Sequence, residues 1–187
     1  MITVKLSYSI LNAWAHYQYE QAVGLYLGKP LPATPQMELG SAMDKLWTKQ
    51  VNDTKHMPPD FDGSPLINPV TQVKYQKIIP LNDDMQILLR GVPDLTDGNR
   101  IIDFKCGNTE ATQYVDGMQL DYYKLLYPEG NIGEYWCYNP YFKTYTKGIK
   151  FLGRANAEAA LNHIYTHGTE LIDYLKANRL LRDYKMQ

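Results

Sequence analysis

Three residues carry the first chemical signal in this chain: Asp94, Asp103 and Lys105. They stand in Gly91-Val92-Pro93-Asp94 and, a few residues on, in Ile101-Ile102-Asp103-Phe104-Lys105. Alternate side chains of a strand share a face. Asp103 and Lys105 therefore point one way, and Ile102 and Phe104 point the other way into apolar cover. A carboxylate held against apolar surroundings is costly unless something compensates its charge. A divalent cation would compensate two carboxylates. Oxygen ligands with no His or Cys beside them suit Mg²⁺ or Mn²⁺ rather than zinc. Such an ion activates water and stabilises charge on a phosphoryl oxygen. A lysine beside it can help deprotonate that water or stabilise the transition state. Asp-x-Lys alone is most often a surface ion pair, and Pro-Asp alone a turn. The combination on two consecutive strands is what points to chemistry.

The elements that must position these groups follow from periodicity and punctuation. Leu11, Trp14, Gln18, Ala22 and Leu25 predict a helix over 7–27, capped by Ser7 or Ser9 and stopped by Gly28-Lys29-Pro30-Leu31-Pro32. Leu39, Met43, Leu46 and Trp47 predict a second helix over 37–51. The proline-rich stretch 52–69 reads as a long loop, either mobile beside a substrate or surface decoration. Strands are predicted over 73–79, 85–95 and 100–105, with Asp97-Gly98 as the hairpin turn between the last two. That hairpin brings Asp94 to the strand of Asp103, and Pro93, with no N–H, marks a bend there. A helix over 113–127, strands over 134–138 and 145–151 and a last helix over 155–178 complete the chain. The tail 179–187 reads as solvated. The order α-α-β-β-β-α-β-β-α predicts an α/β fold with a mixed central sheet covered by helices on both faces.

With those residues in view, the chain resembles the PD-(D/E)xK nuclease superfamily, and within it the RecB-like exonuclease branch. Ser7-Tyr8-Ser9-Ile10-Leu11 resembles the opening Ser-x-Ser-x-Leu of that branch. Gly40-Ser41-Ala42-Met43-Asp44 resembles its helical first motif, with Asp44 where the family has a metal-binding histidine. Gly91-Val92-Pro93-Asp94 and Asp103-Phe104-Lys105 match the core motifs, and Gln119-Leu120-Asp121-Tyr122-Tyr123 matches a Gln-x-x-x-Tyr helix. Gln119 and Tyr123 would lie one turn apart on one side of that helix. The resemblance spans roughly 7–151. It implies a restriction-endonuclease-like core in a single nuclease domain over 1–187, made of N-terminal helices 7–51, the loop 52–69, a catalytic core 70–151 and the C-terminal helix 155–178. It implies metal held by Asp44, Asp94 and Asp103, with Glu38 as a backup acid, and an active site of Asp94, Asp103, Lys105, Gln119 and Tyr123. It implies Mg²⁺- or Mn²⁺-dependent hydrolysis of DNA, by an exonuclease acting at DNA ends in recombination, repair or phage DNA metabolism. An endonuclease of the same superfamily, or a nucleic-acid-binding protein on the same fold that no longer cuts, are the alternatives. Some family members carry an iron–sulfur cluster. With only Cys106 and Cys137 present, none is expected here.

The bulk properties set the frame. At 187 residues, with 44% hydrophobic and 21% charged residues, the chain suits one ordinary globular domain. The two cysteines read as reduced thiols of a cytoplasmic protein. No apolar run reaches membrane-span length, and Met1 to Ala15 does not read as a signal peptide. The net charge of −1 argues against indiscriminate coating of DNA, though a local basic channel is compatible with it. His16, His56, His163 and His167 show no metal-ligand pattern. Homo-oligomerisation or a recombination partner protein is neither favoured nor excluded.

Overall fold

A computed structural model describes residues 1–29 and 31–184. The chain begins with a strand that the motif reading passes over. β1 (Ile2–Ser7) alternates buried Val4 and Leu6 with outward Lys5, a pattern hidden next to the Ser-x-Ser signal. It leads into α1 (Tyr8–Ala15) and α2 (Tyr19–Tyr26). The expected single helix over 7–27 is therefore broken. Tyr17, at φ 61°, stands in the left-handed region, which no continuous α-helix of L-residues admits. Ser7 occupies the N-cap position of α1 but makes no side-chain capping bond.

α3 (Pro35–Thr54) is longer than expected. Thr34 Oγ1 accepts from Met37 N at its start, and Pro35 fills the first turn. It buries Trp47 and Val51, whereas Leu39 and Leu46 of the expected stripe are exposed. The segment 52–69, which begins in the last turn of α3, packs on the sheet. Met57, Phe61 and Leu66 are buried from it, Trp47 Nε1 donates to Asp60 Oδ2 at 2.8 Å, and Phe61 stacks on Phe104 with centroids 5.3 Å apart. Its prolines suggested a loop correctly, but its three large apolar residues make that loop a lid over the sheet.

Two sheets follow. In the first, β1 pairs in parallel with β4 (Met85–Gly91), which pairs antiparallel with β3 (Tyr75–Asn82). In the second, the order is β2 (Pro69–Thr71), β5 (Leu95–Asp97), β6 (Arg100–Cys106), β7 (Ile132–Asn139) and β8 (Thr144–Phe151). β6 and β7 run parallel, and the other pairs are antiparallel. The expected strand over 85–95 is thus split between two sheets. Val92, Pro93 and Asp94 form the crossing, because Pro93 cannot donate to a ladder. The hairpin does form as read, with Asp97 opposite Arg100 and Gly98 at φ 61° in the turn.

Helices cover both faces, as the α/β reading requires. α4 (Ala111–Val115) packs on β7 and β8, and α5 (Gln119–Leu126) on β3, β4 and α6. The expected helix over 113–127 is interrupted between these two. α6 (Arg154–His163) passes through a π-helical turn (Ile164–Gly168) into α7 (Thr169–Ala177). Odd-numbered β6 residues face α5, where Ile101 joins the larger core with Leu120 and Tyr123. Ile102 and Phe104 face α3 and the lid, in a second core with Trp47, Phe61 and Trp136. The tail is not solvated up to residue 184. Leu180 and Leu181 pack against the larger core, and Tyr184 N donates to Thr3 O at 2.8 Å. Residues 185–187 of that stretch, and Pro30 of the expected helix stop, lie outside the described residues.

Candidate active site

Register explains how two distant carboxylates meet. Leu95 pairs with Ile102 and Asp97 with Arg100, so continuing the ladder one step puts Asp94 beside Asp103. Asp94 Oδ2 accepts from Phe104 N at 2.8 Å, and its Oδ1 accepts from Gln72 Nε2 at 3.0 Å. Asp94 therefore sits in the crossing between sheets and not at a strand end. Gln72 also donates its backbone N–H to Asp94 O at 3.1 Å, from the left-handed conformation at φ 54°.

Asp103 and Lys105 share a face of β6, as alternation demands. Lys105 Nζ lies 2.5 Å from Asp103 Oδ2, and Asp103 is only 2% exposed. α5 closes over both. Gln119 Nε2 donates to Asp103 Oδ1 at 3.1 Å and lies 3.1 Å from Tyr123 Oη, while Gln119 Oε1 accepts from Lys105 Nζ at 3.3 Å. Tyr123 Oη reaches Asp103 Oδ1 at 3.3 Å and Val92 O at 3.2 Å. Gly91 permits this approach. A Cβ there would stand 2.6 Å from Leu126 Cδ1 and 3.2 Å from the Tyr123 ring. The five residues Asp94, Asp103, Lys105, Gln119 and Tyr123 thus converge.

Asp44 approaches from the other side. It lies on α3, in a groove of about 430 Å³ that it lines together with Ser41, Phe104 and Lys105. Glu38 is exposed and lines neither that groove nor the neighbouring one shared by Asp44 and Gln72. Glu38 stands six positions before Asp44, which turns it to a different face of the helix.

The electrostatics reflect crowding of like charge. Burial, then Asp103 and Asp44, pushes the Asp94 carboxyl up to about 8. Burial and Asp103 also raise Asp44. For Lys105, burial acts downward, but the charge and hydrogen bond of Asp103 outweigh it and the ammonium is held above its ordinary value. Burial raises Tyr123 well above the usual phenol range, aided by Asp103, so it stays a neutral hydroxyl.

Sequence reasoning missed Gln72, Tyr8, Tyr114 and Tyr135. Tyr135 is the β7 partner of Asp103, and the rings of Tyr114 and Tyr135 lie 5.7 and 5.9 Å from Lys105 Nζ. Tyr8 feels the charges of Lys105 and Asp103 and, inside Ser7-Tyr8-Ser9, alone stood near a motif. The others carry no local signal.

Among the described residues no three His, Cys, Asp or Glu side chains stand close enough to hold a metal ion as they are. The donors nonetheless fit one in kind. Among the described residues Asp44 Oδ1 is a buried oxygen without a hydrogen-bond partner, and Asp103 Oδ2 meets the Lys105 ammonium. Such an orphaned acceptor is costly in a dry site unless a cation or proton meets it.

The architecture resembles solved exonuclease structures. The alkaline exonuclease LHK-Exo from Laribacter hongkongensis matches with a TM-score of 0.53 at 14% identity, over 94% of this chain and 93% of that one. Its complex with dAMP matches at 0.55 and 16%, over 95% of each chain. A phage-related exonuclease from Haemophilus somnus 129PT matches at 0.55 and 12%, over 88% of this chain and 83% of that one. No family model and no curated protein matches the sequence. The likeness establishes a mixed α/β fold shared with exonucleases. No helix among the described residues is long and apolar enough to cross a membrane.

Proposed function

We propose that this protein is a divalent-metal-dependent DNA nuclease that removes nucleotides from DNA ends. The observation that carries the reading is the Gln119 amide, which joins Asp103 to Lys105 while Asp94 lies beside them across the β5–β6 hairpin. An ordinary surface ion pair would not be buried under a helix or share its carboxylate with a neutral glutamine and a neutral tyrosine. The fold shared with LHK-Exo, and the dAMP bound by that protein, support a DNA substrate.

Asp94 and Asp103, with Asp44 approaching from α3, would hold Mg²⁺ or Mn²⁺, in keeping with their all-oxygen donor set. When bound, that ion supplies charge neutralisation at the phosphoryl group and a more acidic water. Lys105 places an ammonium where negative charge develops as water attacks phosphorus and the P–O bond to the rest of the strand breaks. Gln119 and Tyr123 fix Asp103 from the opposite side, so that neither carboxylate nor ammonium must reorganise. The near-neutral net charge suits an enzyme that engages DNA locally.

The test is degradation of linear DNA labelled at its 5′ or 3′ end, in Mg²⁺, Mn²⁺ or EDTA, with a closed circle alongside. Metal-dependent loss of the linear substrate, absent in Lys105→Ala and sparing the circle, is the expected result. Cutting of the circle would make the protein an endonuclease. A folded wild type that cuts no substrate in either metal would sink the catalytic reading.

A further inference from the structure

We infer that the protein carries a second site, for a phosphate-bearing small molecule, on the far side of the first sheet from the catalytic carboxylates. The site is an open cavity of about 570 Å³ where β1, the α1–α2 unit and the tail come together. That volume suits a mononucleotide-sized ligand.

Its position follows from strand alternation. Leu6 pairs with Leu89 and faces the larger core, and the Cβ direction of Gly91 points at Tyr123. Ser7 pairs with Arg90, so these two residues look to the opposite face. Lys5 shares that face, and Arg182 reaches the cavity from the tail. Three cations therefore line it. None of them is ion-paired to a carboxylate among the described residues. Among the described residues Asp183 is the single acidic lining residue, and its Oδ1 accepts from Thr3 N at 3.0 Å.

Two of the cations, Arg90 and Lys5, are held in place. Tyr184 lies under both, with its ring centroid 5.0 Å from the Arg90 guanidinium and 5.5 Å from Lys5 Nζ. Arg90 Nη2 donates to Tyr184 Oη at 2.8 Å, while Arg90 Nε is buried with no acceptor among the described residues. The Tyr26 hydroxyl accepts from Arg182 N at 2.8 Å and so anchors the tail beside α2. The Ser7 hydroxyl is not used in capping α1. Ile10, Leu25 and Leu27 add an apolar part to the lining. Fixed guanidinium and ammonium groups recognise phosphate oxygens. The apolar part of the lining suits a base or similar planar group attached to that phosphate.

The test is isothermal titration of the full chain in EDTA with inorganic phosphate, dAMP and deoxyadenosine. It uses wild type, the double variant Lys5→Gln/Arg182→Gln and, separately, Asp103→Asn. Lys5 and Arg182 are exposed, so their replacement leaves the core intact. Saturable binding of dAMP, weakened at least tenfold by the double substitution and unchanged by Asp103→Asn, is expected. Equal affinity for inorganic phosphate would identify free phosphate as the ligand, and tighter binding of dAMP a mononucleotide. Deoxyadenosine binding as tightly as dAMP, loss of binding in Asp103→Asn alone, or no saturable heat at millimolar ligand would each overturn the inference. None of these outcomes depends on whether the protein cleaves DNA.

Discussion

Gln119 Nε2 stands 3.1 Å from Asp103 Oδ1, and the same amide accepts from Lys105 Nζ through Oε1. A glutamine is suited to this place because it donates to an anion and accepts from a cation at once. Gln119→Glu replaces the donor with a second carboxylate facing Asp103. Nuclease activity should fall by about 10²-fold or more, whereas Gln119→Ala should fall less, because it removes a contact without adding like charge. Single-turnover cleavage of an end-labelled duplex compares the two. A Gln119→Glu enzyme as fast as wild type would show that the bridge has no part in catalysis.

Lys105→Ala removes the ammonium 2.5 Å from Asp103. Loss of a charge-stabilising donor in a water-poor site lowers rates by about 10²–10³-fold. Folding should survive, since Lys105 lies at the half-buried end of β6. Far-ultraviolet circular dichroism and the cleavage rate, measured on the same preparation, check both halves of this expectation.

The crowded carboxylates make a prediction about metal binding. Asp103 raises the cost of ionising Asp94 and Asp44, and Asp44 adds to that of Asp94, which a divalent cation would relieve. Mn²⁺ titrated into EDTA-treated protein should raise Tm in a saturable manner, and less so in Asp44→Ala. An equal rise in Asp44→Ala would remove that residue from the ligand set, leaving Asp94 and Asp103 as its core.

The lid offers a test of stability apart from catalysis. Phe61 is 1% exposed, stacks on Phe104 and touches Trp47 and Trp136. Phe61→Ala should cost about 3–5 kcal/mol in urea unfolding at neutral pH. A cost below about 1 kcal/mol would mean that the segment 52–69 is loosely held after all.

These tests also mark how far the residues disclose the structure. Asp103 and Lys105 were legible because a period of two is a local property, and Gln119 and Tyr123 because one helical turn is. The hairpin of Asp97-Gly98 placed Asp94 for the same reason. What escaped is non-local. β1 makes sense only once β4 lies beside it, and the break at Val92-Pro93-Asp94 only once two sheets compete for the chain. Phe61 in a proline-rich loop gives no sign that Phe104 needs a cover. Gln72 has no motif, and its role follows from the carboxylate it meets. Glu38 shows the converse error, an acid of the right type on the wrong side of its helix.

The histidines at the π-helical turn set an acid limit on stability. His163 is half-buried, with Nδ1 2.8 Å from the Tyr122 hydroxyl and its ring 4.5 Å from that of His167. Burial, followed by the charges of His167 and His16, lowers its pKa to about 4 from an ordinary value of 6.5. His167 also faces Glu170, which in turn accepts from Trp14 Nε1. As pH falls below 6.5 the unfolded chain takes up the proton first, so unfolding becomes easier. The contribution is fully present above pH 6.5 and is lost progressively down to pH 4. Urea midpoints measured between pH 7 and pH 4.5 should therefore fall more steeply in wild type than in His163→Gln, which has no proton to gain. Parallel slopes in the two proteins would show that His163 protonates as readily in the folded chain as in the unfolded one.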